Sequence, residues 1–135
     1  MANYYGMVRT NYFGVKDVNK FKELTNKLIA EDNILIEQSK DGKWCIASHS
    51  SIDYCIDEEE CDYDLDTFFK EMQKCIADND AMIWTEIGNE KLRYFVAYSI
   101  VVTSKDIQDV VLEHCALDIA KDMLGTETFE TQMDY

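Results

Sequence analysis

Apolar positions in this chain follow two rhythms, one helical and one alternating. "DVNKFKELTNKLIAED" places Val18, Phe21, Leu24, Leu28 and Ile29 at helical spacing, with Asp17 positioned as the N-cap. "DLDTFFKEMQKCIADND" repeats the pattern with Leu65, Phe68, Phe69, Met72, Cys75 and Ile76. "KDIQDVVLEHCALDIAKDML" gives Leu112, Cys115, Ala116, Ile119, Ala120 and Met123, closed by Gly125 as the C′ residue. Three amphipathic helices are predicted.

Two β-type segments lie between them. "NILIEQSKDGKWCIAS" reads as two strands around Lys40-Asp41-Gly42, since Asp-Gly suits a tight hairpin. "AMIWTEIGNEKLRYFVAYSIVV" reads as a second hairpin with its turn near Gly88-Asn89. In its second strand Tyr94, Val96, Tyr98, Ile100 and Val102 alternate with Phe95, Ala97 and Val101, which predicts an interior strand covered on both faces. Overlaying the chain on itself at an offset of 47 matches Asp17 with Asp64, Phe21 with Phe68, Lys27 with Lys74 and Ile36 with Ile83. The predicted class is α+β: a mainly antiparallel sheet with about three amphipathic helices, arranged as two helix-plus-hairpin units followed by a C-terminal helix. Residues 1–125 form one domain in this scheme, and 126–135 an acidic tail.

A chain of 135 residues, 47% hydrophobic, has the size and composition to bury a core without covalent staples. Its five cysteines, at 45, 55, 61, 75 and 115, are odd in number and lack a Cys-x-x-Cys pair, so a disulfide framework is not expected. "MANYYGMVRTNYF" has no apolar signal core, and no run reaches the ~20 apolar residues of a membrane span. The expectation is a soluble protein of the cytoplasm.

Charge changes the picture more than composition does. Residues 1–56 hold seven Lys/Arg and seven Asp/Glu, whereas residues 57–135 hold six and twenty, so the whole net charge of −14 belongs to the second part. Direct binding to nucleic acid or an anionic membrane is disfavoured, because phosphate contacts need clustered Lys and Arg. A basic partner is favoured. The densest stretch, "IDEEECDYDLD", contains Asp57, Glu58, Glu59, Glu60, Asp62, Asp64 and Asp66, with Tyr63 among them.

Metal chemistry fits this stretch poorly. Asp62, Asp64 and Asp66 have the opening spacing of a calcium loop, but Thr67 and Gln73 stand where the turn glycine and the bidentate glutamate are needed. A zinc or small-ligand module built on Cys45, His49, Cys55 and Cys61 is the rival reading, although its x3, x5 and x5 spacings are not tight knuckles. No nucleophile stands in a recognisable elbow, His114 and Cys115 are adjacent on a predicted helix and diverge, and no phosphate-cradling glycine loop is present. The chain is therefore read as non-enzymatic, with no cofactor.

The acidic surface remains. Asp106, Asp109 and Glu113, at i, i+3 and i+7, predict a stripe on the third helix. Glu31-Asp32 and Asp78-Asn79-Asp80 place acids at helix C-termini, where the macrodipole disfavours them by ~0.3–1 kcal/mol each. Same-face carboxylates lie ~6.7 Å apart on a strand and ~5–6 Å apart on a helix. Duplex DNA carries one charge per ~1.7 Å of axis, so mimicry of DNA requires the Asp57–Asp66 run and the third helix to be juxtaposed. Tyr54, Tyr63 and the tail "ETFETQMDY" are candidate anchors.

"MANYYGMVRTNYFGV" and "GNEKLRYFVAYSIVV" resemble segments of small proteins carried by phages and integrative elements of Firmicutes. In size and acidity the chain also resembles the anti-CRISPR and anti-restriction proteins such elements encode. The resemblance covers two segments of about fifteen residues and carries no binding residue across. It implies an inhibitor of host defence in the bacterial cytoplasm. Its target would be a CRISPR effector or another defence nuclease, met at its nucleic-acid channel or PAM-reading surface. An immunity protein or antitoxin against a basic nuclease would present the same kind of interface.

Overall fold

Asp17 and Asp64, 47 residues apart, play the same part in the fold. The side chain of Asp17 accepts the amide of Lys20 at 3.0 Å and caps α1 (Val18–Asn26). That of Asp64 accepts the amide of Asp66 at 3.1 Å and caps α2 (Leu65–Cys75). Each cap satisfies an amide that the first helical turn leaves without a partner. In this computed structural model, which describes residues 4–132, each helix is followed by a hairpin.

The remaining elements are β1 (Tyr5–Thr10), β2 (Leu28–Ala30), β3 (Ile34–Gln38), β4 (Trp44–Ser48), β5 (Ile52–Asp57), β6 (Asp62–Tyr63), β7 (Met82–Glu90), β8 (Tyr94–Val102), β9 (Ile107–Val111) and α3 (Leu112–Leu124). Six strands form one sheet in the order β3-β4-β1-β7-β8-β9, and β2-β5-β6 form a second, smaller one. Every strand pairing is antiparallel. The class is α+β, with the hairpins β3–β4 and β7–β8 on either side of the central β1.

One face of the large sheet carries the core. Val8 and Thr10 of β1, Ile46 of β4, Met82 and Trp84 of β7 and Val102 of β8 are all buried on it. The helices contribute Phe21 and Leu24 from α1 and Phe68, Phe69, Met72 and Cys75 from α2. Phe68 and Phe69 lie 5.7 and 5.3 Å from Trp84, ring centre to ring centre, and Phe21 lies 5.2 Å from Trp44. Such contacts add ~0.5–1.5 kcal/mol per pair to the burial of the rings themselves.

Several expectations need correction. The first helix stops at Asn26, and Leu28 and Ile29 enter β2, which pairs with Ile52–Tyr54 of β5. Thr25 and Asn26 are poor helix formers, and the β5 ladder offers the following residues a better set of partners. The β7–β8 turn lies at Lys91–Arg93, not at Gly88-Asn89, which stay in β7 opposite Val96 and Phe95. β8 is an interior strand, but it is not covered on both sides: Phe95 is 61% exposed. The third helix begins only at Leu112, because Ile107–Val111 extend as β9 along β8. Its expected inner face is open as well, with Leu112, Ile119 and Met123 exposed and no residue of α3 buried. Gly125 ends it at φ +68°, a left-handed position that suits glycine.

Candidate interaction surface

The acidic run is built as a corner. Asp57 ends β5 and folds its side chain back to accept the amides of Glu59 and Glu60, at 3.0 and 3.4 Å. This Asx turn, with Cys61 at φ 50°, swings Glu58, Glu59 and Glu60 outward before the chain returns as β6. Asp62 and Tyr63 lie on β6, Asp64 caps α2, and Asp66 sits in the first helical turn, where the helix dipole favours a carboxylate. All seven acids and Tyr63 are exposed. Tyr54, the other expected anchor, is buried at 3% exposure against Phe68 and is unavailable to a partner. Of the tail, residues 126–132 form no helix or strand, while Met133, Asp134 and Tyr135 lie outside the described residues.

Asp106, Asp109 and Glu113 do not form a helical stripe, because β9 takes up the segment before α3. Asp106 closes the β8–β9 turn, accepting the Ile107 amide at 2.9 Å and the Gln108 side chain at 2.7 Å. Asp109 stands opposite Ile100 on the edge strand, and Glu113 lies in the first turn of α3. Helix α2, whose first turn holds Asp66, packs on β8 and β9. Tyr98 is near enough to Asp66 to feel its charge, and it pairs with Val111, two residues before Glu113. Asp106 belongs to the other end of α2, where Gln73 donates to the Thr103 carbonyl at 3.1 Å.

The acids expected at helix C-termini are elsewhere. Glu31-Asp32 follow β2, not α1, and Asp78–Asp80 lie beyond the cap of α2 at Ile76. Asp78 meets Lys16 at 2.8 Å. Asp80 accepts the Gly14 amide at 2.7 Å and the Ala81 amide at 2.8 Å, and stands 3.5 Å from Lys43.

Glu86 carries a role that sequence reasoning missed. It is 8% exposed on the core face of β7, and its carboxylate accepts three hydroxyls: Tyr4 at 2.7 Å, Ser51 at 3.0 Å and Tyr98 at 3.2 Å. A buried carboxylate needs such donors to replace water. Burial, then the bond to Glu86, pushes the Tyr4 phenol well above its usual range, and burial with the Glu86 charge does the same to Tyr98. Tyr4 reaches this position across Gly6 and Gly88, which face each other on β1 and β7. A Cβ on Gly88 would come within 2.5 Å of the Tyr4 hydroxyl, and one on Gly6 within 2.8 Å of its ring. The available signal was parity: Glu86 shares the inward alternation of Met82 and Trp84. A cleft of about 910 Å³ opens beside this cluster, lined by Tyr4, Tyr5, His49 and Ser51 and carrying the acids Glu31, Asp32 and Asp53.

Cys45, His49, Cys55 and Cys61 do not form a cage. Cys45 and Cys55 are buried in different sheets, and the Cys45 thiol donates to the Thr10 carbonyl at 3.3 Å. Burial, then nearby acids, raises the Cys55 thiol pKa, which works against metal binding. Among the described residues no three His, Cys, Asp or Glu side chains converge as metal ligands. Among them, too, no helix is long and apolar enough to cross a membrane. No family model matches the chain, and no curated protein or solved structure matches it either.

Proposed function

We propose that this protein is a non-enzymatic inhibitor, encoded by a phage or mobile element, that sets its acidic corner in the basic nucleic-acid groove of a host defence protein. The cytoplasm of the bacterial host is the compartment where such a target would be met. One observation carries this function: none of the four ion pairs among the described residues involves an acid of the Asp57–Asp66 run. Charges left unpaired inside a protein keep their full field for a partner, and such a field accelerates encounter with a basic surface. Glu58–Glu60 stand at a turn, where consecutive side chains crowd more closely than on one face of a strand. Exposed Tyr63 supplies an aromatic contact within the same corner.

The test is capture by the immobilised protein from a bacterial lysate containing CRISPR and restriction effectors. Wild type is compared with a variant carrying Glu58→Gln, Glu59→Gln, Glu60→Gln and Asp62→Asn. Wild type is expected to retain a basic nuclease at low salt, to release it to competing duplex DNA, and to bind at least ~10-fold more tightly than the variant, a difference of ~1.4 kcal/mol. Equal capture by the variant, or capture that salt leaves unchanged, would overturn the proposal.

A further inference from the structure

The face of the six-stranded sheet that carries no core is apolar. Strand register places Met7 opposite Ile87, Ile87 opposite Ala97, and Ile83 opposite Val101, all turned away from Trp84 and Val8. Phe95 is 61% exposed on this face, Met7 and Ile87 47% each, and Leu35, Ile83 and Val110 are exposed beside them. Met7, Ile83 and Ile87, with Arg9 and Thr85, border a shallow groove of about 510 Å³.

The charge on this face is as informative as its hydrophobicity. The chain carries −14, yet the strand positions turned to this side include one cation, Arg9, and one anion, Glu37. A solvated sheet face in so acidic a protein would be expected to alternate apolar-in with charged-out. Neutrality combined with apolar character is the pattern of a face that is covered.

We infer that this open face pairs with the same face of a second copy of the chain, the two sheets stacking about a two-fold axis. Two considerations select a second copy over other occupants. A basic target of the acidic corner gains nothing from a face of zero net charge. A second copy presents a neutral apolar surface of identical extent, as an isologous interface requires. Stacked sheets pack ~10 Å apart with their strands within about 30° of alignment, a geometry an apolar strand face can adopt without rearranging the core behind it. In such a dimer the acidic corners are carried by elements on the opposite side of each sheet, and both remain available.

The test is the solution mass of the full chain by light scattering and sedimentation. Wild type is expected at twice the 15.7 kDa chain mass at micromolar concentration, and to dimerise more tightly as salt rises, because salt screens the repulsion between two chains of −14 each. Ile87→Asp is expected to leave a folded monomer, as judged by far-UV circular dichroism and an unchanged urea midpoint. Met123→Glu, on the exposed face of α3, is expected to leave the dimer intact. A monomeric wild type overturns the inference. So does a dimer that survives both Ile87→Asp and Phe95→Asp, or one that only the α3 variant dissociates. Should Ile87→Asp fail to fold, the milder Met7→Gln, expected to weaken the dimer at least tenfold, decides by the same criterion.

Discussion

In the Asp78–Asp80 segment each aspartate meets a cation or a backbone amide, whereas in the Asp57–Asp66 run the acids either hold their own backbone or face solvent. Both segments read alike in sequence, as acids clustered near the end of an element. The difference comes from what the fold lays beside them. The chain just before α1 passes along the end of α2, with the Lys16 amide donating to the Cys75 carbonyl at 2.8 Å and the Ala77 amide to the Gly14 carbonyl at 2.9 Å. That crossing delivers Lys16 and the Gly14 amide to Asp78 and Asp80. Among the described residues no equivalent segment crosses the corner after β5. Three of the four ion pairs among the described residues, Lys16–Asp78, Lys20–Glu71 and Lys43–Asp80, join the charge-balanced first part of the chain to the acidic second part. Acid density in sequence therefore says little about available charge until the cations are placed.

The largest effect that would break this contrast is structural. Asp80→Ala removes the acceptor of two backbone amides and the partner of Lys43 at a half-buried junction between the Gly14 loop and β7. Leaving such donors unpaired costs ~1–3 kcal/mol, and urea denaturation should show a loss in that range. A loss as small as that of a surface substitution would mean that Asp80 is no more engaged than the acids of the corner.

Next in size is the pH dependence. Burial tends to raise the Asp80 pKa, but the Gly14 and Ala81 amides and Lys43 outweigh it and hold the carboxyl below its usual range. The hydrogen bond and charge of Lys16 do the same for Asp78, and the bond from Lys74, with that from Lys20, for Glu71. A carboxyl whose folded-state pKa is depressed adds stability above its unfolded value near ~4, and that stability is lost as pH falls through the folded value. The urea midpoint should therefore drop steeply below about pH 4. Asp80→Asn should flatten that limb; an unchanged slope would show that these contacts are not what separates the two segments.

How far all this was legible in the sequence follows the range of the interactions involved. Caps are local, so Asp17 and Gly125 were readable, as was the β3–β4 hairpin, whose Gly42 sits at φ 84°. Elements decided by distant partners were not. Leu28–Ala30 continue a helical pattern and become a strand only because β5 lies beside them, and Ile107–Val111 do so because β8 does. Gly88 reads as a turn residue, but it is required mid-strand as floor space for Tyr4. The corner's acids were readable because exposure needs no partner. Parity along β7 turns Glu86 inward, but its three hydroxyl donors come from residues 4, 51 and 98 and lie beyond any local rule.

The smallest expected effect is the sharpest separation of the two segments. Glu58, Glu59 and Glu60 point outward from the turn, and none takes part through its side chain in a bond that shapes the corner. Converting them to Gln together with Asp62→Asn should leave the urea midpoint at the wild-type value while weakening capture of the partner at least ~10-fold. Asp64→Ala, only two residues further on, should behave differently, costing about 1 kcal/mol as the N-cap of α2 is lost. If the fourfold variant loses as much stability as Asp64→Ala, the corner's acids are part of the scaffold, and an effect on capture could no longer be assigned to charge alone.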